Sequence, residues 1–94
     1  FTLAGYMTDK TQVYWLGEKE NMPINGREAH TFCIDLHGQI SELLRPGTLP
    51  SDICSHCLAA VKNSKWNEGF MGLGGNKVFF AGHGIGLAID EYPF

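Results

Sequence analysis

Seven of the chain's twelve glycines fall between Gly69 and Gly86. Glycine has no Cβ, so such density marks either backbone angles closed to other residues or a main chain that another group approaches closely. The apolar stretches in this zone are short. Val78, Phe79 and Phe80 form one β-like run, and Leu87, Ala88 and Ile89 form another.

The middle of the chain has a different period. Asn25 precedes a helical pattern, with Glu28 three residues later in the capping-box position. Phe32, Cys33, Leu36, Ile40, Leu43 and Leu44 then recur at three- and four-residue spacing and define one apolar face. Arg45-Pro46-Gly47 stops that helix. Ser51 is the expected cap of a second helix, with Asp52 in its first turn, where a carboxylate suits the helix dipole. Ile53, Cys57, Ala60 and Val61 give this helix its apolar face, and it runs to about Ser64 or Lys65. Upstream, residues 1–16 hold two β-like pieces around Gly5, and 11–16 are all good strand formers. A polar turn follows at 17–21. The order strand, helix, helix, strand predicts an α+β arrangement, an antiparallel sheet covered by two helices. Its core is expected where Phe32, Leu36, Ile40, Leu43 and Leu44 meet the sheet carrying Val13 and Phe79.

Composition narrows the function classes. Charged residues make up 18% of the 94 and aromatics 12%, which excludes an intrinsically disordered segment. A net charge of −3 with scattered basic residues leaves no footprint for nucleic acid or an anionic membrane. No apolar run approaches the ~20 residues of a membrane span. The chain opens on Phe1-Thr2-Leu3 within a strand-like stretch and closes on Tyr92-Pro93-Phe94. Both ends read as cuts, so 1–94 is expected to be part of a longer domain. The three cysteines, Cys33, Cys54 and Cys57, are an odd count that suggests a reducing, cytoplasmic setting. Cys54-Ser55-His56-Cys57 has no second pair to complete a zinc site and no preceding strand for a redox motif. Packing in the helix is the favoured role for Cys54 and Cys57.

Chemistry concentrates at two places. In Gly82-His83-Gly84-Ile85-Gly86 nothing bulky shields the imidazole, as a metal ligand or general acid requires. A hydrogen-bonded surface histidine would look the same. These glycines do not fit the dinucleotide fingerprint, and no Walker lysine motif occurs. Asp9 lies within the β-like stretch Tyr6-Met7-Thr8-Asp9-Lys10-Thr11, where aspartate is disfavoured. It is either a solvent-facing strand position or a ligand.

Gly82-His83-Gly84-Ile85-Gly86-Leu87, followed by Asp90-Glu91-Tyr92-Pro93, resembles the GHGIG…HExP signature of the pita-bread metallopeptidases. That family includes methionine aminopeptidase, aminopeptidase P, prolidase and creatinase. Gly5-Tyr6-Met7-Thr8-Asp9-Lys10-Thr11 resembles the family's GYxxDxTR segment, and Arg45-Pro46-Gly47 its Pro-Gly turn between two long helices. Leu87 and Lys10 are closer to the Xaa-Pro peptidase branch than to methionine aminopeptidase. The resemblance implies that 1–94 is an interior part of a pita-bread catalytic domain, truncated at both ends. It implies two divalent ions (Mn, Co, Zn or Fe), with Asp9 as a bridging carboxylate, His83 as the imidazole ligand, and water activated between the ions. A further aspartate before Phe1 and two glutamates beyond Phe94 would complete the centre, so the chain alone is expected to be inactive. The substrate is then a peptide with proline at its second position, and Gly84 leaves room for its main chain. Asp90 stands where the family commonly has a substrate-contacting histidine and inherits that contact as an expectation. A homodimer and the remainder of the parent chain are the expected protein partners. Creatinase-type hydrolysis, or a binding module without catalysis, are the alternatives.

Overall fold

The computed structural model describes residues 2–94. Its elements, in order, are β1 (Thr2–Leu3), β2 (Tyr6–Met7), α1 (Ile24–Leu43) and α2 (Pro50–Lys62), with 3-10 turns at Lys19–Asn21 and Gly74–Asn76. An antiparallel ribbon and two helices give an α+β make-up. The chain divides into two compact units: the N-terminal residues through Thr11 with Leu49–Phe94, and Gln12–Thr48.

In the first unit, β1 and β2 pair antiparallel with Thr2 opposite Met7 and Leu3 opposite Tyr6. Ala4 and Gly5 link them with φ of 52° and 85°. A two-residue link with both φ positive follows the right-handed twist of a hairpin, which is why a glycine is found there. α2 starts on Pro50, whose fixed φ and missing N–H suit the first helical position. The Leu49 N–H donates to the Asp52 carboxylate at 3.2 Å. Ser51 therefore lies inside the first turn, and Asp52 does the capping. Cys57 and Val61 are buried, and Ile53, Cys54 and Ala60 are half-buried. This is the face that the apolar spacing marks. All three cysteines are free. Burial, and next the neighbouring Cys54, push the Cys57 thiol above its ordinary range. Buried Cys57 is therefore part of the packed face of α2.

In the second unit, α1 begins at Ile24 after Pro23, two residues earlier than an Asn25 cap would place it. The Arg27 N–H reaches the Pro23 carbonyl at 3.1 Å and opens the helical ladder. Leu36 is buried, and Ala29, Phe32, Ile40 and Leu43 are half-buried, so the three- and four-residue spacing is realised. Cys33, exposed on α1, departs from the expected face, and Leu44 departs from the expected core. It lies past the last helical turn and is exposed. The chain turns at Arg45, whose carbonyl accepts the Thr48 N–H at 3.1 Å, and Gly47 takes φ of 95°.

Three expected strands are absent among the described residues. Residues 11–16 form none, and Val13, Tyr14 and Leu16 are exposed. Trp15 instead folds back, its Nε1 donating to the Glu18 carbonyl at 3.0 Å. Residues 78–80 and 87–89 also lie outside strands, and Phe79 is 95% exposed. Strand propensity describes a fit to a pleated surface. Where no ladder partner sits alongside, apolar residues do not make a strand on their own. No helix among the described residues is long and apolar enough to cross a membrane.

Candidate metal centre

The centre forms within the first unit, from two segments at opposite ends of the sequence. Asp9 lies two residues beyond the end of β2. The Met7 N–H of that strand donates to the Gly86 carbonyl at 2.6 Å, which ties the Asp9 segment to the glycine-rich loop. Across the loop, Gly84 and Glu91 form an isolated antiparallel bridge. The Gly84 N–H is shared between the carbonyls of Glu91, at 2.8 Å, and Pro93, at 2.7 Å. The Glu91 N–H returns to the Gly84 carbonyl at 3.1 Å.

This bridge accounts for two of the glycines. A Cβ on Gly84 would overlap the Tyr92 carbonyl oxygen and approach the Glu91 oxygen to 2.8 Å. A Cβ on Gly86 would overlap the Glu91 carboxylate. That carboxylate is turned back on its own loop, accepting the Ala88 N–H at 3.1 Å. On the side where Gly84 lacks a Cβ, the Glu91–Tyr92 main chain fills the space. Gly82, by contrast, has open space at its missing Cβ.

Folding the loop back carries Asp90 to His83. The imidazole Nδ1 lies 2.9 Å from the Gly84 carbonyl oxygen. A carbonyl can only accept, so Nδ1 carries the proton, and in the neutral ring Nε2 keeps its lone pair. Nε2 lies 3.0 Å from Asp90 Oδ1 and 3.6 Å from Asp9 Oδ2. The Phe80 ring stands edge-on to the imidazole with centroids 6.1 Å apart. The histidine is half-buried, while both carboxylates keep access to solvent.

One ligand atom from each of Asp9, His83 and Asp90 lies within 4.8 Å of the others. With the imidazole neutral, its lone pair and two carboxylates repel one another at that range, and a proton on Nε2 or a cation among the three reverses the sign. Ligand bonds of about 2.0–2.1 Å put neighbouring donor atoms about 2.9 Å apart at right angles and about 3.6 Å apart at 120°. The observed 3.0 and 3.6 Å separations fall in that window. The donor set therefore fits a divalent ion.

The sequence reading places Asp9 and His83 at the metal, and the structure brings them together. It also brings in Asp90, which that reading gives to the substrate. The signal in the sequence was the glycine spacing, which permits the close bridge that turns Asp90 back. Cys54 and Cys57 belong to no such cluster of three among the described residues.

The model of metallopeptidase family M24 matches residues 1–94. The chain belongs to this family. No curated protein and no solved structure matches it. M24 members are metal-dependent peptidases with the pita-bread fold, and the ribbon and two helices are consistent with a part of that fold. In an M24 chain a carboxylate and an imidazole facing each other across a few ångströms are the donors that divalent ions require.

Proposed function

We propose that the chain contributes the Asp9 and His83 ligands of a dinuclear exopeptidase centre acting on peptides with proline in the second position. The observation that carries this is the approach of His83 Nε2 to the Asp9 carboxylate in a member of M24. Leu87 and Lys10 favour the Xaa-Pro branch over methionine aminopeptidase.

Bound divalent ions supply a Lewis acid and an acidified water for attack on the peptide carbonyl. The chain's own groups prepare for that. The Asp9 carboxylate offers two oxygens to adjacent cations. The Gly84 carbonyl fixes the imidazole tautomer so that Nε2 faces the centre, as metal-binding histidines require of their second nitrogen. Two side chains leave coordination positions open, so turnover needs further carboxylates from the parent chain, and residues 1–94 alone are inactive. Exposed Val13, Tyr14, Leu16 and Phe79 are apolar surface of the kind that more of the parent chain or a second copy would cover.

The test is metal content and Xaa-Pro dipeptide cleavage in the parent protein carrying Asp9→Asn or His83→Ala. Both variants should lose metal and turnover together while keeping the wild-type circular dichroism spectrum. Wild-type turnover in either one overturns the assignment.

A further inference from the structure

We propose that Asp90 is a metal ligand in this chain, so that Asp9, His83 and Asp90 together hold one divalent ion without residues from outside 1–94. The inference rests on the preceding reading of Asp9 and His83 and adds a residue to it. Asp90 Oδ1 is closer to His83 Nε2, at 3.0 Å, than Asp9 Oδ2 is, at 3.6 Å. The separations to both carboxylates match those of donors around a single ion.

The position is also well supported by the loop. The main chain on the C-terminal side of Asp90 is locked by the Gly84–Glu91 bridge. The neighbouring Glu91 carboxylate is occupied by the Ala88 N–H, so of the two adjacent acids Asp90 is the one presented to the imidazole. The resemblance puts a histidine here, a single nitrogen donor that contacts substrate. Aspartate substitutes an anionic oxygen donor. The resulting set of two carboxylates and one imidazole is richer in hard oxygen, which suits ions such as Mn²⁺ or Co²⁺. The same change removes a donor from the substrate side of the centre.

The experiment is titration of the purified 94-residue chain with Co²⁺ by calorimetry and with Mn²⁺ by NMR line broadening. The wild-type chain should take up one ion per chain. Mn²⁺ should broaden the amides of His83 and Asp90 ahead of those in α1. Asp90→Asn should weaken Co²⁺ binding by more than the ~10–100-fold typical of losing an outer-shell partner, with an unchanged circular dichroism spectrum. If Asp90→Asn binds as wild type while Asp9→Asn and His83→Ala lose the ion, Asp90 is not a ligand and the two-residue reading stands. If none of the three changes affects binding, or the wild-type chain takes up no ion, the three-ligand site is refuted. Selective loss in His83→Ala and Asp90→Asn with Asp9→Asn unaffected would support Asp90 and overturn the Asp9 assignment instead.

Discussion

Replacing Gly84 by alanine adds one methyl group, and the structure leaves no place for it. Its carbon would overlap the Tyr92 carbonyl oxygen and lie 2.8 Å from the Glu91 oxygen. Both obstacles are backbone, which cannot swing aside as a side-chain tip can. Relief therefore requires the Gly84 and Glu91 segments to part. Parting them breaks the reciprocal pair at 2.8 and 3.1 Å and the shared bond to Pro93 at 2.7 Å. Each such bond contributes a net of about 0.5–1.5 kcal/mol after exchange with water. The three together set an overall cost of about 1.5–4.5 kcal/mol. The separation also withdraws Asp90 from His83, so divalent binding should weaken in the same variant. Gly82→Ala is the internal control. Nothing lies within 4 Å of the added carbon there, and the change should stay within about 0.5 kcal/mol. Urea midpoints of the two variants, with hydrogen exchange at the Gly84 and Glu91 amides, measure the difference directly. Equal midpoints and unchanged protection in Gly84→Ala would show that the bridge does not hold the loop.

Three other outcomes are expected. Leu36, 5% exposed on α1, should lose about 2–5 kcal/mol on truncation to alanine through transfer and cavity terms; an unchanged thermal midpoint would show that this face is not packed. Cys57 should be the last of the three cysteines alkylated by iodoacetamide and exposed Cys33 the first, because the buried thiol forms less thiolate at a given pH. Since folding raises the proton affinity of Cys57, its contribution to stability is complete below the ordinary thiol range. It is lost as pH climbs from that range to the raised value of the folded thiol, because the unfolded chain gives up the proton first; a pH series of urea midpoints for wild type against Cys57→Ala checks the sign.

The helices were the legible part of the fold. Leu36, Cys57 and Val61 are buried on the faces their spacing marks, because a helix satisfies its backbone locally and leaves only its apolar stripe to be covered. Their starts were read two residues late. Pro23 and Pro50 open the helices by backbone geometry, where Asn25 and Ser51 offered side-chain caps. Of the strands, the pair flanking Gly5 was legible, but those expected at 11–16, 78–80 and 87–89 were not, since a strand exists only in the presence of its neighbour, and Val13 and Phe79 lie in none among the described residues. At the site, His83 stood out by its glycines and Asp9 by its β context. That they meet depends on the Met7-to-Gly86 hydrogen bond, a long-range pairing that local pattern does not encode. The proximity of Asp90 to the imidazole depends on the same kind of pairing, through Gly84 and Glu91.

The tie between Met7 and Gly86 also sets an order of assembly. His83 and Asp90 are seven residues apart in sequence and meet through a short loop. Asp9 joins them only after closure of a loop on the order of 75 residues, which costs about 2 kcal/mol more in chain entropy than the short one. Contacts of such sequence separation carry their closure cost before they give anything back. An ion present during refolding would first meet the histidine and its nearby aspartate as a two-armed, weak holder. Tight capture would wait for the N-terminal ribbon to dock, so the rate of metal uptake would report the arrival of that ribbon.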